Sequence, residues 1–377
     1  MEKIVKILHI NTGLVAGGVE RLLNDLLPLF NKEKRVQADL FLLENKGNNL
    51  FEEELKKNNV KIIYSKYNNK FDIRNIFEIK KLIKNYDVVH THIFPSQFYL
   101  PLAIIGLKNK PYLITTEHNT NNNRRKHKIL SKIEKYLYLK YDKIISISNE
   151  TEIELKKWLK IEYGYKNKFQ VIENGININK FYLSDKNIED NFFKEKRKNR
   201  IITMIGRFNI QKDQPTLIRA IKNINDAYLF LVGDGERKKE YQNLVKELNI
   251  ENKVKFLGVR NDIPKILKIT DICVLSSNWE GFGLVAIESM AAGKPVIASN
   301  VDGLKQIIEG NGLIFEKGNE DDLEEKIRFL LNDKEEYKKM CEKCLKKAKE
   351  YDIQKMAEKY LDNYFNFLKK RDIKNEK

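Results

Sequence analysis

"DICVLSSNWEGFGLVAIESMAAGKPVIAS" occupies residues 271–299 and holds one complete structural unit. Residues 271–277 form a short β-branched, apolar run without polar alternation, as a strand buried on both faces requires. The loop "NWEGFG" (278–283) follows. "LVAIESMAAG" (284–293) has a helical pattern closed by Gly293, with Pro295 just beyond. "KPVIAS" (294–299) is again a buried strand. Strand, helix and strand in this order predict a parallel sheet with crossover helices on its faces.

The rhythm continues in both directions. Upstream, "RIITMIGR" (200–207), "AYLFLVG" (227–233) and "KVKFLG" (253–258) are further strands, and "GLIFEKG" (312–318) follows. An earlier series reads "KIVKILHI" (3–10), "QADLFLL" (37–43), "VKIIYS" (60–65), "YDVVHTH" (86–92), "YLITTEH" (112–118), "KIISIS" (143–148) and "KFQVIEN" (168–174). Helical patterns at 19–30, 73–85 and 125–141 lie between them. The charged, aperiodic stretch at 183–199 is expected to be a linker between domains at 1–182 and 200–350. The fold class is therefore α/β: two doubly wound, Rossmann-like parallel-sheet domains facing a central cleft, with ligands outside the carboxyl ends of the strands.

Composition narrows the function. At 377 residues the chain buries roughly three quarters of its unfolded surface and needs no covalent staple. Three cysteines are too few for a disulfide framework, which points to a reducing compartment. Cys341 and Cys344 make a Cys-x-x-Cys, but on a charged helical pattern with no second ligand pair. No apolar run is long enough to span a membrane, and the first residues read as a strand, so a cytoplasmic location is expected, with peripheral attachment to the inner membrane face open. The formal charge is +17, and +12 of it falls in the first 180 residues. Such a field favours anionic partners: phosphate-bearing substrates or an anionic membrane surface. Nucleic acid is not expected, because no recognition helix, stacking platform or zinc module accompanies the charge. Oligomeric state is not legible.

Three loops carry candidate chemistry. In "NTGLVAGGVERLLNDLL" (11–27), Gly17 and Gly18 precede a helix and let backbone amides approach an anion. In "GRFNIQKDQPTLIRA" (206–220), Gly206 ends a strand and Arg207 and Lys212 follow before a helix near Gln214 and Pro215. A guanidinium fork and a mobile ammonium suit a diphosphate. In the opening stretch Glu280 sits on the loop, whereas Glu288 lies about one turn inside the helix among Val285, Ala286, Ile287, Met290 and Ala291. A carboxylate placed there must be paired or bound, and sugar or ribose hydroxyls are suitable donors.

Together, "GRFNIQKDQPTLIRA" and the paired glutamates of "EGFGLVAIE" (280–288) resemble the retaining glycosyltransferases of family four, which have the GT-B fold. "GGVER" (17–21), "DVVHTH" (87–92), "TEHN" (116–119), "SISNE" (146–150), "ENGIN" (173–177), "VGDGE" (232–236), "VKFLG" (254–258), "AAGKPVIAS" (291–299) and "NGLIF" (311–315) agree with it in order. The resemblance implies a nucleotide diphosphate sugar as donor, most simply UDP-linked, and a glycan or lipid-linked acceptor of surface-polysaccharide type. It implies that Arg207 and Lys212 hold the diphosphate, with Gly206 and Gly233 beside it. Glu288 would bind ribose, Glu280 the donor sugar, and the amides of Phe282, Gly283 and Leu284 phosphate and sugar. Phe256 and Leu257 would meet the base, Gly18 would lie by the reaction centre, and His118 would contact the sugar or its phosphate. Glu280, His118, Arg207 and Lys212 form the catalytic set. The first domain would bind acceptor, the second donor, and a terminal helix at about 351–377 would cross back to the first. No cofactor is expected and no metal, since no Asp-x-Asp occurs. A GT-B epimerase is the alternative within enzymes.

His90 and His92 form a His-x-His on a strand, read as packing more readily than as metal ligands. The basic helix at 121–143 is expected to bury a stripe of Ile129, Ile133 and Leu137. Its Arg124, Arg125, Lys126 and Lys128 are candidates for anionic lipid or a pyrophosphate-linked acceptor.

Overall fold

The computed structural model describes residues 4–14, 17–45, 47, 51–120, 123–126, 128–161, 164–165, 167–182 and 199–375. It divides into two compact units, Met1–Gly175 with Ile353–Lys377, and Ile176–Asp352.

Unit 1 is built on seven parallel strands: β1 (Val5–Asn11), β2 (Val36–Leu42), β3 (Ile62–Tyr64), β4 (Val88–Thr91), β5 (Tyr112–Glu117), β6 (Lys143–Ser146) and β7 (Phe169–Val171). Their order is β3-β2-β1-β4-β5-β6-β7. One core, containing Ile7, Leu23, Leu27 and Phe30, forms under the Gly18–Lys32 helix and also takes in Met356, Tyr360 and Tyr364 of the terminal Ile353–Asn375 helix. A second core on the opposite face gathers Leu8, Ile10, Val89, Leu100 and Tyr141. Apolar side chains thus leave the strands on both faces, as a doubly wound sheet demands.

Unit 2 repeats the plan with β8 (Arg200–Ile205), β9 (Ala227–Val232), β10 (Val254–Gly258), β11 (Ile272–Leu275), β12 (Val296–Ser299) and β13 (Leu313–Phe315), ordered β10-β9-β8-β11-β12-β13 and all parallel. The GT-B architecture of two parallel α/β domains is present.

Two local expectations change. The first unit ends at Gly175, ahead of residue 182, because the Ile178–Tyr182 helix packs against the Ile263–Ile269 and Leu284–Ala291 helices of unit 2. Most of the expected linker, 183–198, lies outside the described residues. The Lys128–Tyr138 helix is also rotated from its expected face. Ile133 is exposed, while Glu134, Leu137 and Tyr138 are buried, and Ile129 has no described side chain. Glu134 turns inward because it accepts from Arg124 Nε at 2.8 Å and Trp158 Nε1 at 2.6 Å, so its charge is neutralised where it is buried. Arg124, stacked over Phe94, is therefore committed to the interior, and Arg125 donates to the Thr120 carbonyl. The side chains of Lys126 and Lys128 lie outside the described set.

Candidate active site

In unit 2 the chain runs from β8 outward to β9 and β10, then returns to β11 on the other side of β8. The crevice at such a reversal is the natural ligand site of an open parallel sheet. The exit loops of β8 and β11 carry the two sequence motifs, and the structure joins them. Asn278 donates its backbone N–H to the Gln211 carbonyl (2.7 Å) and its side-chain amide to the Ile210 carbonyl (2.8 Å). Ser276 Oγ donates to the Asp213 carbonyl at 2.7 Å, and Gln211 Nε2 to the Trp279 carbonyl at 3.1 Å.

Across this seam Lys212 Nζ pairs with Glu280 Oε1, which also accepts from Ser277 Oγ at 2.8 Å. Side-chain exposures of 18% for Lys212 and 7% for Glu280 shield the pair from solvent, where Coulomb attraction is strong. Arg207 differs: its side chain is 71% exposed and meets Glu236 at 3.3 Å, a contact weak enough to be exchanged for a better anion.

Two glycines make the loops fit. A Cβ on Gly233, which has φ +136°, would lie 2.1 Å from the Gly206 carbonyl, and one on Gly303 would lie 2.2 Å from the Glu280 carbonyl. Both collisions are with backbone, so relief requires moving the loops that hold Arg207, Lys212 and Glu280. Gly233→Ala is expected to lower stability by about 1–3 kcal/mol, read from the denaturant midpoint. An unchanged midpoint would show that the loop yields freely.

The remaining candidates of unit 2 lie on β10 and at or within the helix that follows β11. Gly283 caps the Leu284–Ala291 helix, Leu284 opens it, and the buried ring of Phe282 meets Tyr351 edge-on at 5.6 Å. Glu288 is buried within that helix, 1% exposed. Burial, with the Glu288 charge adding to it, pushes the Cys273 thiol up to about 12. Half-buried Phe256 and Leu257 lie on β10, Phe256 edge-on to Phe208.

Gly18 and His118 belong to unit 1. Gly18 begins its helix just after β1, and His118 follows β5 directly. His118 Nε2 meets His92 Nδ1 at 3.3 Å, and His92 Nε2 meets His9 Nδ1 at 2.9 Å. Burial lowers the His9 and His118 imidazoles to about 3 and holds His90 and His92 well below the usual range, so all four are neutral. His90 is bonded on both nitrogens, to Tyr364 OH at 2.9 Å and Thr116 Oγ1 at 2.7 Å. Sequence reasoning missed Ser277, Gly303 and His9. The serine pair ending "DICVLSS" was a weak signal for the first; the others became visible only through loop packing and the β1–β4 register, which pairs His9 with His90.

Two parallel-sheet units, with cations and a carboxylate at the reversal of the second sheet, define a GT-B protein. The model for Glycosyltransferase Family 4 matches residues 16–180, and that for Glycosyl transferases group 1 matches residues 185–351. The chain belongs to this glycosyltransferase family. It is 33% identical to an uncharacterized glycosyltransferase of Methanocaldococcus jannaschii over 74% of this chain and 76% of that protein. It is 29% identical to the Escherichia coli UDP-Gal:alpha-D-GlcNAc-diphosphoundecaprenol alpha-1,3-galactosyltransferase over 79% of this chain and 80% of that protein. Anabaena HepE, solved with UDP-glucose, superposes with a TM-score of 0.84 at 21% identity, covering 96% of this chain and 99% of HepE.

Proposed function

We propose that the enzyme transfers a hexosyl group, with retention, from a UDP-sugar to a hydroxyl of a lipid-linked or surface-polysaccharide glycan. The observation that carries this is the Lys212–Glu280–Ser277 cluster beside exposed Arg207, at the carboxyl ends of β8 and β11. Similarity to the E. coli galactosyltransferase, whose substrate is diphosphoundecaprenol-linked, supports the donor and acceptor class.

On this reading Arg207 leaves Glu236 for the donor diphosphate, and Lys212 neutralises charge as the bond from the anomeric carbon to the β-phosphate oxygen breaks. The electron pair stays on the diphosphate. The acceptor oxygen bonds the anomeric carbon on the same face, and its proton passes to the departing diphosphate oxygen, so no cation beyond the protein's own is required. Glu280 uses Oε1 for Lys212 and Ser277, and Oε2 for a sugar hydroxyl; Glu288 takes the ribose and His118 the sugar or its phosphate. Unit 1, with the excess of positive charge, meets the acceptor at an anionic leaflet. Among the described residues no helix is long and apolar enough to cross a membrane. The exposed Phe71, Ile73 and Phe77, beside Lys81 and Lys84, suit surface attachment.

Nucleotide release over a panel of UDP- and GDP-sugars with diphosphate-lipid acceptors tests the assignment. Glu280→Gln is expected to cut turnover about 10²-fold with UDP affinity nearly unchanged, whereas Arg207→Ala weakens both. Full turnover in the Glu280 variant would reduce that carboxylate to a structural role. Binding of RNA or DNA at physiological salt without response to any nucleotide sugar would overturn the reading altogether.

A further inference from the structure

His9, His92 and His118 are joined head to tail through unit 1, and the two ends of the chain differ. At the inner end His9 Nε2 is buried with no hydrogen-bond partner among the described residues, beneath the stacked ring of Phe30 at 5.6 Å. At the outer end His118 keeps 8% of its surface exposed, and Nδ1 has no partner among the described residues. Because a neutral imidazole carries one proton, each nitrogen-to-nitrogen bond fixes the tautomer of the next ring.

Only two arrangements satisfy both bonds. In one, His9 carries its proton on Nε2, His92 donates from Nε2 to His9, His118 donates from Nε2 to His92, and His118 Nδ1 is a bare acceptor. In the other, His9 donates from Nδ1 to His92, His92 donates from Nδ1 to His118 Nε2, and His118 Nδ1–H points outward as a donor. The first buries an orphaned N–H at His9, whereas the second leaves only an unused lone pair there. Orphaned buried N–H groups are the rarer and costlier defect.

We propose that His9 and His92 are positioning residues that lock His118 as its Nδ1–H tautomer, making it a hydrogen-bond donor to a substrate oxygen. The direction of the function assignment for His118 rests on the donor-site reading above; the tautomer itself does not. The two inner bonds polarise the outer N–H cooperatively, which strengthens it towards a phosphate or sugar oxygen without creating a buried cation. His90 stands beside the chain with both nitrogens committed to Tyr364 and Thr116, so it does not divert it. A metal ion shared by His9, His90 and His92, whose nitrogens lie within 4.8 Å of one another, would have to break these bonds and bury two positive charges with no carboxylate in the group.

Long-range ¹H–¹⁵N spectra of histidine-labelled protein decide the matter. The expected result is Nδ1–H for His9, His92 and His118 in the wild type. A His118 spectrum of the Nε2–H form, or a stoichiometric metal in the purified protein ligated by these rings, overturns the proposal. His92→Ala opens a space for water, which can donate or accept; His118 is then expected to populate both tautomers, with kcat down about tenfold and donor KM within about twofold. His92→Asn can still present an N–H to His118 and is expected to restore most of kcat. An unmixed Nδ1–H spectrum with wild-type kcat in His92→Ala overturns the lock. Full turnover in His118→Ala sinks the donor-site reading instead, a result distinguishable because the wild-type tautomers are read without substrate.

Discussion

On the proposed reading of the site, Lys212→Ala is expected to lower kcat by about 10²–10³, because it removes the shielded cation proposed to meet the leaving diphosphate. The same change has a second effect in the resting protein. It strands Glu280, whose side chain is 7% exposed, with Ser277 as its remaining donor. Breaking a fully enclosed ion pair costs about 3–5 kcal/mol; partial exposure and the serine bond reduce this to about 2–3 kcal/mol here. Activity and stability should therefore fall together in Lys212→Ala and separate in the double variant. With Glu280→Gln added, no uncompensated charge remains, so the melting temperature recovers towards the wild type while kcat stays low. Single-turnover kinetics and thermal unfolding on the four proteins of this cycle provide the test. A Lys212→Ala enzyme within tenfold of wild-type kcat would place the transition-state charge elsewhere, with Arg207 the next candidate. Recovery of kcat in the double variant would mean that Lys212 serves Glu280 alone.

That cycle also marks the limit of what the sequence discloses. Strand positions were legible because each is a short, nearly unbroken β-branched run, and β5, β8 and β9 begin where the pattern placed them. Arg207, Lys212 and Glu280 were legible as candidates because they sit on the loops that leave β8 and β11. Their mutual arrangement was not, since Lys212 and Glu280 are 68 positions apart and meet only after β11 is placed next to β8. His9 and His92 are 83 positions apart and meet through a register no periodicity encodes. The face of the Lys128–Tyr138 helix was misassigned for a related reason. Apolar spacing assumes that charged residues point outward, and Glu134 turns inward to Arg124 and Trp158. The end of unit 1 at Gly175 carries no compositional signal either: "ENGIN" continues smoothly across it.

The buried histidines give the molecule a steep response to acid. Against an ordinary value of 6.5, His9 and His118 are lowered to about 3, and His90 and His92 lie well below it, in each case chiefly through burial. A lowered imidazole binds its proton less readily folded than unfolded. Its neutral form therefore costs nothing above the unfolded value, and stability is lost as pH falls through 6.5 towards the folded value. At pH 5.5, about a unit below the unfolded value, each such group removes on the order of 1 kcal/mol, so the four together remove several kcal/mol. The buried carboxyls of Glu20, Glu117 and Asp142, raised by burial, oppose this below their own raised values, because they take up protons more readily in the folded state. For a unit of this size the melting temperature should fall by roughly 10–20 °C between pH 7.5 and 5.5. Calorimetry across that range measures it, and replacing solvent-exposed lysines should leave the slope untouched, since the effect arises from enclosed imidazoles and not from the +17 charge. A flat melting temperature down to pH 5.5, or histidine spectra showing imidazolium in the folded protein there, would mean that these rings are solvated. The buried chain that orients His118 would then not exist in solution.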